Sequence, residues 1–307
     1  MSDWPNLFII GAMKSGTTYL HRLLAGHPDI AMCEPKEPCF FIDPTELRRR
    51  WPQMARTGYA GDGGRYRALF SEAGDARYRG ESTTLYALAP LLSGVPERIA
   101  AVTRRPALIY VMRDPVERTL SHIWHDTRVM RATPDLLGAL PPNSEYLLAS
   151  HYAFQLGRYA AVFGLERLYC LTFEELVASP QETVARLLRW LDLEPLPIDA
   201  TRLAPENVAP EQARTLRFGG EPLYRASQSA PWQAIAGRLP WRLRRVFVTL
   251  LERPLRRDEL DLDAVKDRLR DLQRPQVEEL SVLLGRPFPE WTTLFAESAG
   301  RNAASDG

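Results

Sequence analysis

Residues 8–20 read FIIGAMKSGTTYL: an apolar run closed by Gly11, a loop ending at Gly16, then Leu20, Leu23 and Leu24 at helical spacing before Gly26 and Pro28. A short apolar run without polar alternation suits a strand covered on both faces, and the segment therefore predicts strand, loop, helix. Such units are joined into parallel sheets flanked by helices. A loop of this kind turns several backbone N–H groups toward one point, at the positive end of the helix dipole, and so holds a phosphate. The spacing resembles the triphosphate-binding pattern G-x-x-x-x-G-K-[ST], with one departure. Gly11 and Gly16 keep their places, but Thr17 stands where the lysine belongs and the lysine is Lys14. The usual lysine reaches the β- and γ-phosphates of a nucleoside triphosphate, which Thr17 cannot do. An ammonium at position 14 would instead lie at the outer edge of a single bound phosphate, beside a reactive bond. Of the 39 basic residues only Lys14, Lys36 and Lys266 are lysine, so a compact point charge at position 14 is unusual for this chain. The plain alternative is a glycine turn carrying an incidental lysine.

The same alternation recurs downstream. Ala107–Met112, within ALIYVMRDP, is a second continuous apolar strand, and Pro115 suits the first turn of the helix after it. RLYCLTFEEL contains a third strand, and Pro180 opens a helix whose stripe is Val184, Leu187, Leu188 and Leu191. The expected fold is therefore a three-layer α/β/α arrangement around a parallel sheet. Past Pro195, Pro197, Pro205 and Pro210 no strand is expected, and the C-terminal third, about 211–295, reads as helical. Within it Arg238–Arg257 holds seven arginines and one acid, Glu252, interleaved with apolar residues. This reads as a basic amphipathic helix, packed on the domain or offered to a membrane surface or acidic substrate. A single domain over 1–295 is expected, with a frayed tail over 296–307.

Charge and cysteines exclude several classes. With 307 residues and a formal charge of +1, the chain is no general polyanion binder, and no nucleic-acid partner is expected. Cys33, Cys39 and Cys170 cannot all pair and show no zinc spacing, which favours a reducing compartment without a structural metal. No basic leader followed by a long apolar run is present, and the expected location is cytoplasmic.

Four segments in order, FIIGAMKSGTTYLHRLLAGHPDI, EPKEPCFF, GESTTLYAL and YVMRDPVERTLSHIWH, resemble the sulfotransferases that use 3′-phosphoadenosine 5′-phosphosulfate, especially the glycan-type enzymes. A weaker similarity runs on through LTFEELVASPQETVARLLRWLDL and PQVEELSVLLGRPFPEW. The resemblance implies that Lys14, Ser15, Gly16, Thr17 and Thr18 hold the 5′-phosphosulfate and that Arg113 and Ser121 hold the 3′-phosphate. It also implies that Glu37 is the general base, in the E-x-x-F-F setting with Phe40 and Phe41 beside it, and that no metal is needed. A guanidinium fork at the carboxyl end of a strand suits a phosphate, although an ion pair of Arg113 with Asp114 is the simpler reading of that residue alone. His122 and His125 are the alternative bases, and Glu34 is a rival three positions from Glu37. Where glycan-type relatives often carry lysine after the glutamate of the third segment, this chain has Ser82, and Glu81 reads as an ordering residue. RFGGEPLYR, around Gly219 and Gly220, is the candidate adenine-side loop. The expected acceptor is a hydroxyl on a glycan, lipid or small molecule. Two other classes stay open: a kinase using ATP and magnesium held by Asp114, and a non-catalytic module binding membranes or acidic glycans.

Overall fold

The computed structural model describes residues 4–128, 140–198, 212–216, 252–256 and 262–297. β1 (Leu7–Gly11) runs through the loop into α1 (Thr17–Leu24), as the sequence predicts. β2 (Ile30–Met32) follows, then the short helices α2 (Pro44–Arg50), α3 (Pro52–Ala55) and α4 (Gly63–Ala68). β3 (Tyr78–Ser82) passes into a 3-10 turn at Thr84–Ala87, and α5 (Val95–Val102) leads to β4 (Ala107–Met112). Pro115 does open a helix, α6 (Pro115–Arg128). After α7 (Glu145–Leu148) and α8 (Tyr152–Phe163) come β5 (Leu168–Thr172), α9 (Phe173–Ala178) and α10 (Pro180–Trp190).

The strands form one parallel sheet in the order β2-β3-β1-β4-β5. Side chains alternate across a strand, so β1 and β4 supply two cores. Leu7, Ile9, Ile109 and Val111 pack with Leu20 and Leu24 of α1 and with Val184, Leu187 and Leu188 of α10. Phe8, Ile10, Leu108, Tyr110 and Met112 face the other way, toward Ile99 of α5 and Tyr152 and Leu156 of α8. This is the expected three-layer α/β/α architecture. Chain order leaves β1 toward β3 and β2 on one side and β4 and β5 on the other. The carboxyl ends of β1, β3 and β4 therefore open at a switch point, where open α/β sheets bind ligands.

Among the described residues of the C-terminal third, α11 (Leu262–Leu284) and α12 (Thr292–Phe295) are helical. The expectation that no strand follows residue 195 is corrected. β6 (Gln212–Leu216) pairs antiparallel with β7 (Glu252–Arg256), outside the main sheet. The end of the arginine-rich segment is thus strand, because Pro254 would remove a helical hydrogen bond and clash with the preceding turn, whereas a two-stranded ladder accommodates it at an edge. The rest of that segment, the Gly219–Gly220 loop and the tail beyond Glu297 lie outside the described residues. Among the described residues no helix is long and apolar enough to cross a membrane.

Candidate active site

The loop between β1 and α1 is built against the end of β4. Ala12 N–H donates to Val111 O at 2.7 Å, and Ser15 N–H turns back to Ala12 O at 3.2 Å. Lys14 and Gly16 adopt left-handed backbone, φ 68° and 86°. Gly16 precedes α1 without any side-chain cap, so the first N–H groups of the helix keep their donor capacity at the loop's mouth. A side chain at Gly16 is excluded twice, by its φ and because a Cβ would stand 2.7 Å from Phe173 Cδ2. Gly11 is similarly closed, its Cβ position 2.6 Å from Tyr110 Cε2. Ser15 is fully buried and its hydroxyl has no hydrogen-bond partner. A phosphate seated on these amides would offer that hydroxyl an acceptor, and the residues present fit such a group.

The two regions assigned to the two phosphates meet. Arg113 Nη1 donates to Lys14 O at 3.3 Å, and its guanidinium carbon lies 5.0 Å from the Phe173 ring centroid. Glu117 is 3.9 Å away, a loose ion pair. Tyr152 OH donates to Arg113 O at 2.7 Å and steadies the strand end. Phe173 opens α9 behind a capping box at Thr172 and touches both Gly16 and Arg113, joining loop and guanidinium through one ring. Ser121 lies half-buried on α6 two turns after Arg113, with Thr18 half-buried on α1. Fully buried Arg118 donates to Met13 O and adds a second tether to the loop. Burial, then the neighbouring Arg128 and Arg113, hold the Lys14 ammonium below its ordinary pKa, with Asp126 opposing. Lys14, Arg113, Arg118 and Arg128 thus bring four cationic groups to one region, with Glu117 and Asp126 as the nearby acids.

Asp114 serves structure. One oxygen accepts from the N–H groups of Val116 and Glu117 at the start of α6, and the other from Leu294 N–H at 2.9 Å. These bonds tie the start of α6 to α12.

Glu37 sits on the loop after β2 with φ 62°. Its carboxylate accepts from Thr84 N–H at 2.9 Å, Thr84 Oγ1 at 3.0 Å and Lys36 Nζ at 2.7 Å. Lys36 also reaches Thr17 Oγ1 at 3.4 Å, so one ammonium joins Glu37 to the start of α1. Sequence reasoning missed Lys36 and Thr84; the scarcity of lysine that singled out Lys14 applied equally to Lys36. Phe40 stacks on Tyr66 at 4.2 Å and Phe41 meets Tyr66 and Tyr86 edge-on, in an aromatic cluster beneath the loop. Glu34 is exposed, 3.9 Å from His21 Nε2.

His122 is 1% exposed. Arg118 Nη1 lies 3.3 Å from its Nδ1, and since guanidinium only donates, the ring hydrogen sits on Nε2, facing Asp126 Oδ2 at 3.9 Å. His122, Asp126 and Glu145 place donor atoms within 4.8 Å of one another. His125 lies half-buried one turn on.

A family model described as the sulfotransferase family matches residues 5–197. Over 117 residues the chain is 34% identical to membrane-associated sulfotransferase kil1 of Dictyostelium discoideum, covering 38% of this chain and 22% of that protein. It is 25% identical over 201 residues to human heparan sulfate glucosamine 3-O-sulfotransferase 3B1, covering 62% and 46%. The chain thus matches less than half the length of these relatives. A crystal structure of a sulfotransferase from Alicyclobacillus acidocaldarius shares the fold with a TM-score of 0.66 at 23% identity, covering 94% of this chain and 98% of that one.

Proposed function

Because the chain belongs to the sulfotransferase family, we propose that it transfers a sulfuryl group from 3′-phosphoadenosine 5′-phosphosulfate to a hydroxyl, within a single catalytic unit over residues 1–295. The observation that carries this reading is the contact between Arg113 and Lys14 O at 3.3 Å, which sets a guanidinium beside the phosphate loop, as a nucleotide phosphorylated at both ends requires. The amides of residues 16–18 and the Ser15 hydroxyl hold the 5′-phosphate, while Arg113 and Ser121 hold the 3′-phosphate. When bound, the donor supplies a sulfuryl group on a phosphate leaving group.

Lys14 neutralises the charge that builds on the departing phosphate oxygen as the sulfur–oxygen bond breaks. Glu37 takes the proton of the attacking hydroxyl as the new sulfur–oxygen bond forms. Lys36, between Thr17 and Glu37, keeps the base in register with the loop, a matter of positioning. His122 braces Arg118, which holds Met13 O. Nothing in this scheme asks a divalent ion to act.

Thermal unfolding with adenosine 3′,5′-bisphosphate without metal, compared with ATP and magnesium, tests the donor class; a ligand at a hundred times its Kd stabilises by about 2.7 kcal/mol. The reading expects the rise with the bisphosphate. A rise only with ATP and magnesium overturns it. Mass spectrometry of hydroxyl acceptors incubated with the donor, seeking the gain of one SO₃, then identifies the acceptor.

A further inference from the structure

Beneath the Glu37 loop lies a carboxylate that the scheme above does not use. Glu81, on β3, is fully buried. Three hydroxyls donate to it: Tyr66, Thr83 at 2.9 Å and Tyr86 at 2.9 Å. Two of these oxygens also accept from the Glu37 loop. Cys39 N–H donates to Thr83 Oγ1 at 3.4 Å, and Phe41 N–H donates to Tyr86 OH at 3.2 Å. The loop needs such anchors, because Glu37 and Cys39 both hold left-handed backbone that costs energy for a non-glycine residue.

We propose that Glu81 is a positioning residue for Glu37: by drawing the hydroxyl hydrogens of Thr83 and Tyr86 to itself, it leaves their oxygens free to hold the Cys39 and Phe41 amides. The loop that carries Glu37 is thereby fixed from below. This rests on the reading of Glu37 as base.

The chemistry is specific to an anion. A carboxylate accepts several hydrogens at once, whereas a glutamine side chain of the same size has one acceptor oxygen and an amide that donates. The titratable groups facing Glu81 are Tyr66, Tyr86, Tyr159, Cys33, Cys39 and Glu37, all acids. Burial above all pushes the Glu81 carboxyl up to about 7.

The test is amide hydrogen exchange of the full chain, read at single residues. Thr83→Val is expected to speed exchange at Cys39 at least tenfold and leave Phe41 unchanged. Tyr86→Phe should do the reverse, Glu81→Gln should speed both, and Thr83→Ser should restore Cys39. Calorimetric binding of adenosine 3′,5′-bisphosphate within twofold of the parent shows that each variant is folded. Folded Glu81→Gln with parental exchange at both amides overturns the proposal. Equal acceleration of both amides by Thr83→Val and by Tyr86→Phe also overturns it, since that is general loosening. Should Glu81→Gln fail to fold, the two hydroxyl variants still decide the matter. Exchange is read without acceptor or turnover, so retained transfer activity in Glu37→Gln would sink the base assignment separately.

Discussion

Gly16→Ala perturbs both halves of the site through one methyl group. The residue holds φ 86°, and the new Cβ would stand 2.7 Å from Phe173 Cδ2. A left-handed L-residue costs about 1–2 kcal/mol. Forcing a methyl into a closed contact costs a further ~1–3 kcal/mol. Phe173 cannot simply retreat, because the Arg113 guanidinium lies 5.0 Å from its ring centroid. Part of the strain therefore passes to Arg113 and to its bond with Lys14 O. We expect a stability loss of about 2–5 kcal/mol by urea unfolding and a rise of at least tenfold in the Kd for adenosine 3′,5′-bisphosphate by calorimetry. Adding Phe173→Ala should relieve the clash while leaving the backbone strain, giving a coupling of about 1–3 kcal/mol in a double-mutant cycle. Parental stability and affinity in Gly16→Ala, or a cycle with no coupling, would refute this reasoning.

Lys14→Ala should lower turnover at least tenfold, measured as sulfuryl transfer at saturating donor. Arg113→Ala should abolish the preference for adenosine 3′,5′-bisphosphate over adenosine 5′-monophosphate, a loss of about 1.5–3 kcal/mol if the guanidinium bonds the 3′-phosphate. Two buried groups should oppose each other in the acid limb of stability. Burial holds His21 down to about 4, so as pH falls from 6.5 the unfolded chain gains a proton that the folded one refuses, and stability drops. Burial raises Glu81 to about 7, so its contribution is fully present below 4.5 and is lost as pH rises through about 7. Each amounts to about 3 kcal/mol on the linkage of 1.36 kcal/mol per pKa unit, and they offset between roughly pH 4.5 and 6.5. His21→Asn should therefore gain stability relative to the parent on acidification over that window, and Glu81→Gln should lose it, both read as urea midpoints.

The parts of the fold that were legible are those where burial leaves a simple pattern. β1 and β4 are covered on both faces by helices and show this as unbroken apolar runs. β2 has three residues, and β3 reads YRGES, whose buried Glu81 and Ser82 are satisfied by hydroxyls and His21 rather than by apolar neighbours. Nothing in their local sequence announces strand. β6 and β7 were missed for a related reason: their pairing joins residues forty positions apart by backbone bonds that composition does not record. In the site, the loop between β1 and α1 was readable because its geometry is local, set by Gly16 and the strand–helix junction. The Lys36–Thr17 bridge and the Phe173 contact depend on distant segments meeting, and become visible only once the sheet brings them together.

The account's central claim is that one nucleotide spans the loop and the end of β4. A crystal structure with adenosine 3′,5′-bisphosphate tests it most directly. The expected result places the 5′-phosphate on the amides of residues 16–18 with the Ser15 hydroxyl, and the 3′-phosphate on Arg113 and Ser121. A nucleotide bound elsewhere, or with its 3′-phosphate away from both residues, would contradict it.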